Sequence, residues 1–301
     1  MPAMSARRPL IALVAMVSLF IAGLAEARTE VYGAAPLVRL ASNRPAVLVV
    51  INERGPFLFV VDTATTNTVL TPALQRRLRI PPLPGPAVDV VSAAGSVRSH
   101  YYRVAEIALA GVIVEGGRAV MMDLPEEEGV MGVLGAEFLS NFKVDLDMPA
   151  KRMALYPDRA AVLAPNHFRV QGRLTEHGII VVPARVENTN VWAAFDSGGR
   201  RTIANSWLAG ATGHYDSAKL RNYESYVRDA ASRRYTGVSE DFTRIQVGPA
   251  IWSNRDVLIS DIKVFEQIGH GTKPIMFIGM DLMANRRVII DYADASLWLS
   301  R

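Results

Sequence analysis

One pattern occurs twice in this chain. Phe57-Leu58-Phe59-Val60-Val61-Asp62-Thr63-Ala64-Thr65 is echoed by Val191-Trp192-Ala193-Ala194-Phe195-Asp196-Ser197-Gly198-Gly199. Each copy is an apolar run that ends in an aspartate, followed by a hydroxyl residue and the small residues of a tight turn. Each is answered downstream by an apolar pair and a glycine, Val133-Leu134-Gly135 and Phe277-Ile278-Gly279. The parallel continues from Leu134 to Asp147 and from Ile278 to Asp291, and then through a polar turn into Met153-Ala154-Leu155-Tyr156 and Ser296-Leu297-Trp298-Leu299. A duplication that gives each half one carboxylate restricts the chain to two similar halves facing each other across an approximate twofold axis, with a site shared between them.

Many short runs rich in Val, Ile, Tyr and Phe are broken by Gly, Pro and Asn, which reads as a mostly β protein. The pattern predicts strands over 46–51, 56–62, 69–71, 88–92, 96–104, 106–109, 112–122, 143–147 and 152–156, with short helices over 72–78 and 137–141. In the second half it predicts strands over 179–186, 191–196, 203–205, 243–247, 255–259 and 287–298, and a helix over 206–210. With half of its 301 residues apolar, the chain can bury a core in each half. The division expected is an N-terminal lobe over 28–157, a linker over 158–166 flanked by Pro157 and containing Pro165, and a C-terminal lobe over 167–301.

Ahead of the duplicated region, Arg7 and Arg8 precede an apolar run from Leu10 to Leu24 and the small-x-small triplet Ala25-Glu26-Ala27. Residues 1–27 therefore read as a cleaved secretory signal, the apolar run being short of the roughly 20 residues a membrane span needs. The expected address is outside the cytoplasm, periplasmic or extracellular. An uncleaved anchor formed by residues 10–24 is the alternative. The absence of cysteine excludes disulfides, thiolate metal sites and a cysteine nucleophile.

The net charge of +4 is modest, and the arginines are scattered, Arg200-Arg201, Arg233-Arg234 and Arg286-Arg287 being isolated pairs, with no basic stripe interleaved with aromatics. Nucleic acid is not an expected partner. The five histidines, at 100, 167, 177, 214 and 270, fall at no metal-ligand spacing, and neither a Gly-x-Ser-x-Gly elbow nor a phosphate-binding glycine loop is present. No metal and no cofactor are expected.

The two aspartates remain. One carboxylate on a turn after a buried strand is ordinarily a cap that accepts backbone N–H bonds. Two of them, at matching places of a duplication and each followed by a hydroxyl residue, can meet over a single water. Carboxylates that close cannot both ionise cheaply, so they share a proton: one acts as general base on the water and the other donates to a carbonyl oxygen.

On these residues the chain resembles the pepsin and retropepsin-like aspartic proteases, whose motif is an apolar stretch ending Asp-Thr/Ser-Gly with a later apolar pair and glycine. The second half carries the motif intact as Asp196-Ser197-Gly198. The first half has Asp62-Thr63 but Ala64 where the family has glycine. The resemblance spans about residues 38–300, and lobes of this size are short for a pepsin and closer to two fused retroviral-type subunits.

It implies a bilobal, mostly β acid-protease fold with pseudo-twofold-related lobes, catalytic residues Asp62 and Asp196, supporting residues Thr63, Thr65, Ser197 and Gly198, and a monomeric hydrolase acting on extended peptide or protein substrates. It also implies a flap hairpin over 88–102 with Ala94, Gly95 and Ser96 at its tip, and a second over 223–237. Because the Thr65 hydroxyl can bond to Asp62 and Gly199 offers no such group to Asp196, the charge is expected on Asp62 and the proton on Asp196. A peptide-binding or inhibitory protein on the same fold, impaired by the Ala64 methyl, is the alternative function.

Overall fold

The computed structural model describes residues 31–92, 95–124, 129–160, 162, 164–214, 225–228 and 234–300. The proposed leader over 1–27, the flap-tip residue Ala94 and the second flap tip over 229–232 lie outside the described residues. No helix among the described residues is long and apolar enough to cross a membrane.

Among the described residues the chain builds one large sheet in each half, a third that joins them and a separate two-stranded hairpin. The first-half sheet is organised around the hairpin of strands Pro45–Ile51 and Arg54–Val61, paired in antiparallel register with Ala46 opposite Val60. Strand Val130–Leu134 then returns parallel to Arg54–Val61, with Leu134 beside Val61, and strand Val69–Leu70 lies antiparallel on its far side. The second-half sheet repeats this arrangement. Ile180–Val186 pairs antiparallel with Thr189–Phe195, Ile275–Ile278 returns parallel with Ile278 beside Phe195, and Ile203–Ala204 lies antiparallel to it. Central strands buried on both faces explain why these segments read as nearly continuous apolar runs.

The third sheet has six strands in the order Gly33–Pro36, Arg152–Tyr156, Lys143–Asp147, Arg287–Asp291, Ser296–Ser300 and His167–Gln171, three from each half. At its centre Lys143 faces Asp291 and Asp147 faces Arg287. Exchanging the halves maps this register onto itself, so the approximate twofold axis runs through the pairing of Asp145 with Ile289. Charged pairs clamp the junction: Lys143 Nζ lies 3.0 Å from an Asp291 carboxylate oxygen, and Arg287 grips Asp145 through Nε at 2.8 Å and a second nitrogen at 2.6 Å.

Helices Pro72–Leu78, Ala136–Leu139, Ser206–Ala211 and Met280–Met283 occupy equivalent places in the two halves. The first is capped by the Thr71 side chain and the third by Asn205, whose side-chain oxygens accept the N–H groups of Leu74 and Leu208. The structure corrects several expected boundaries. The single strand over 96–104 is two, Gly95–Ser99 and Tyr101–Arg103, which join different sheets. The run over 112–122 breaks into Val112–Glu115 and Arg118–Met121, because Gly116 takes a φ of 70° that turns the chain. The strand over 287–298 turns at 292–295 into the closing strand Ser296–Ser300. Conversely, the strand over 243–247 extends to Arg234–Val247, since its polar outward residues hid the alternation.

Candidate active site

Asp62 and Asp196 each sit one residue beyond a central strand, and the parallel return strand fixes both backbones. The Asp62 N–H donates to Leu134 O at 3.0 Å and the Asp196 N–H to Ile278 O at 2.9 Å. The turn after each aspartate is held by the start of a short helix: Ala136 N–H donates to Thr65 O at 2.7 Å, and Met280 N–H to Gly199 O at 2.8 Å. Gly135 and Gly279 are needed for close approach, since a Cβ on the first would run into Asn67 O and on the second into the Arg201 carbonyl. The apolar-pair-glycine signal is therefore the point where two turns are pressed against one helix start in each half.

Between the aspartates, Thr63 and Ser197 exchange hydrogen bonds across the halves. Thr63 Oγ1 donates to Phe195 O at 2.5 Å and accepts the Ser197 N–H at 3.2 Å; Ser197 Oγ donates to Val61 O at 2.7 Å and accepts the Thr63 N–H at 3.2 Å. A hydroxyl has one proton to give, and here each gives it to the carbonyl just before the opposite aspartate. Both residues are buried, so the network is dry, closed and satisfied within the described residues.

The second turn reaches the first carboxylate directly, for a Cβ built on Gly198 would overlap the Asp62 carboxylate. The two acidic groups therefore share one confined space. The Asp62 oxygens accept the Ala64 N–H at 2.9 Å and the Thr65 hydroxyl at 2.8 Å. Burial pushes the carboxyl pKa of both up. For Asp196 burial comes first and the Asp62 charge second, and together they raise it from 3.8 to about 8. For Asp62, burial is opposed by the Thr65 hydroxyl, the Ala64 N–H and the charge of Arg44. The environments of the two groups thus push them apart, with the negative charge favoured on Asp62 and the proton on Asp196.

Ala64 keeps its backbone bond to Asp62, and its half-buried methyl packs on the second-half apolar cluster that contains Ile179, Val181 and Ala194.

Residues 47–138 match the family described as aspartyl protease. This match covers less than half of the chain and shows its likeness to that family. The matched segment contains Asp62, Thr63 and the Leu134-Gly135 pair, and the second half repeats the central strand pairings around Asp196. A comparison with curated proteins gave no match.

Of the expected flap residues, Gly95 and Ser96 lie on strand Gly95–Ser99, antiparallel to Val88–Ser92 in an isolated hairpin. Its strand Val88–Ser92 packs against helix Lys263–Gln267 of the opposite half, so the hairpin bridges the lobes of this protease fold. A second hairpin, Ser225–Arg228 with the start of Arg234–Val247, stands at the place expected for its counterpart. The sequence reading did not single out Arg44. Its signal is positional: continuing the hairpin register two residues beyond the Ala46–Val60 pair sets Arg44 opposite Asp62.

Proposed function

We propose that this chain is an exported aspartic endopeptidase that hydrolyses peptide bonds with water activated between Asp62 and Asp196. The observation that carries the reading is the hydroxyl exchange between Thr63 and Ser197, which joins the two turns that carry the buried carboxylates, both of them shifted up by burial. In this reading the Asp62 carboxylate, stabilised by the Thr65 hydroxyl and Ala64 N–H, takes a proton from the attacking water. Protonated Asp196 donates to the carbonyl oxygen of the scissile bond as the tetrahedral centre forms. The roles then reverse: the proton held by Asp62 passes to the departing amine, and Asp196 recovers its own as the carbonyl re-forms. The grip keeps the carboxylates from drifting apart, a positional restraint on which the geometry of attack depends.

An extended segment would lie under the hairpin of Val88–Ser92 and Gly95–Ser99, pairing its backbone with the protein. Export rests on the Arg7-Arg8, Leu10 to Leu24 and Ala25-Glu26-Ala27 pattern. A peptide-library digest across acidic to alkaline pH, with a statine-type transition-state mimic as competitor, tests the activity. Cleavage blocked by the mimic is expected. Binding of the mimic without cleavage at any pH would instead describe a peptide-binding protein on a protease scaffold.

A further inference from the structure

The two halves differ in the residue that faces each aspartate across its hairpin. Continued two residues past the last paired positions, the register that pairs Ala46 with Val60 leads to Arg44 and Asp62, and the register that pairs Val181 with Ala194 leads to Ile179 and Asp196. Arg44 is 6% exposed and Ile179 is 1% exposed. An arginine and an aliphatic residue therefore occupy equivalent buried positions of the two halves.

The local chain delivers Arg44 there. Residues 40–44 form a turn in which Leu40 N–H donates to Arg44 O at 3.1 Å and Asn43 takes a φ of 66°. Arg44 Nε donates to Ser42 Oγ at 3.2 Å, which orients the head group as the chain enters strand Pro45–Ile51. Arginine is almost never fully buried without charge partners. The Arg44 charge acts on both aspartates and favours the ionised form of each. Tyr292 also senses Asp62: it is a buried phenol with no hydrogen-bond partner among the described residues, kept protonated by its burial and by that carboxylate.

We propose that Arg44 is a positioning residue for the pair: it confines the negative charge to Asp62, leaves the proton on Asp196, and extends toward acid the pH range in which the pair holds one proton. The inference rests on the reading of the two aspartates as a catalytic pair, but its test does not require turnover. Nuclear magnetic resonance titration of protein labelled with carbon-13 at the aspartate carboxyls would follow both steps in wild type, Asp62→Asn, Asp196→Asn, Arg44→Met and Arg44→Lys. The lower step should vanish in Asp62→Asn and persist in Asp196→Asn. In Arg44→Met it should rise by at least about one pH unit, the effect of removing an opposite charge at close range, and Arg44→Lys should restore it.

The acid limb of kcat/KM should move by the same amount, and the alkaline limb should move in the same direction. A merely structural arginine would lower activity without moving the limb. A natively folded Arg44→Met protein whose lower step does not move, or a lower step that belongs to Asp196, overturns the proposal. Should Arg44→Met fail to fold, Arg44→Gln and the assignment of the lower step in the Asn variants decide it. A wild type that cuts no peptide defeats the protease reading while the titrations still decide the role of Arg44.

Discussion

The backbone N–H of Thr63 donates to Ser197 Oγ and the N–H of Ser197 donates to Thr63 Oγ1, each at 3.2 Å. The reciprocity makes each half complete the hydrogen bonding of the other. Thr63→Val and Ser197→Ala should each cost about 1–3 kcal/mol, because each strands a buried backbone N–H and carbonyl. Since the two residues form one network, the double variant should cost less than the sum, with a coupling of at least about 0.5 kcal/mol. Urea unfolding of the four proteins in the cycle measures this. Strict additivity would show that the lobes are held together independently of the exchange.

Asp62→Asn and Asp196→Asn should each lower peptide hydrolysis by about 10²-fold or more, the range associated with a positioned acid or base. An amide can neither accept the proton of the attacking water nor serve as the shared acid. Circular dichroism should remain native for both. A variant that retains wild-type cleavage would remove its aspartate from the mechanism.

The pH dependence of stability follows from Asp196, whose carboxyl pKa is raised from 3.8 to about 8, first by burial and then by Asp62. The folded state therefore binds this proton more tightly than the unfolded chain does. The resulting stabilisation is complete below about pH 4 and is lost as pH climbs through about 8. Asp196→Asn, which never ionises, should match wild type most closely in acid and exceed it in thermal stability at mildly alkaline pH. Each 1 kcal/mol corresponds to about 2–4 °C at this chain size. Thermal scans at acidic and alkaline pH check the sign, and a wild type that gains on the variant as pH rises would contradict it.

At the junction sheet, Arg287→Met should destabilise the protein by about 3–5 kcal/mol, because it leaves the 1%-exposed Asp145 carboxylate uncompensated. Adding Asp145→Leu should recover much of the loss, since an apolar pair leaves no buried charge behind. Denaturant unfolding of wild type, the single variants and the double variant tests this, and equal losses in single and double variants would refute it.

Gly198→Ala should be far more damaging than its mirror image is in nature. The added Cβ would overlap the Asp62 carboxylate, and a loss of at least about 10²-fold in kcat/KM is expected from displacement of the pair. Ala64→Gly should preserve or raise activity, because it removes a methyl from the first turn while keeping the N–H bond to Asp62. Steady-state kinetics on one cleaved peptide distinguishes the two substitutions.

The twofold arrangement was legible because the duplication is written in the sequence: Asp62 with Asp196, Leu134-Gly135 with Ile278-Gly279, and equivalent apolar strands whose burial on both faces left few polar interruptions. The hydroxyl residues after each aspartate announced their own place too, since a Thr or Ser there has little other reason to be repeated. The boundaries that failed did so for local reasons, as where the positive φ of Gly116 divides one apolar run into two strands.

What the sequence by itself determined is the pair of half-sites, each a strand, an acid and a turn, because periodicity and turn chemistry act over a few residues. Only the tertiary structure decided how the half-sites differ. The opposition of Arg44 to Asp62 and of Ile179 to Asp196 depends on hairpin register, and the burial of these groups depends on how the two lobes close over them. Charge placement in the pair is set by that burial, for desolvation and a nearby guanidinium act through space between segments distant in the chain.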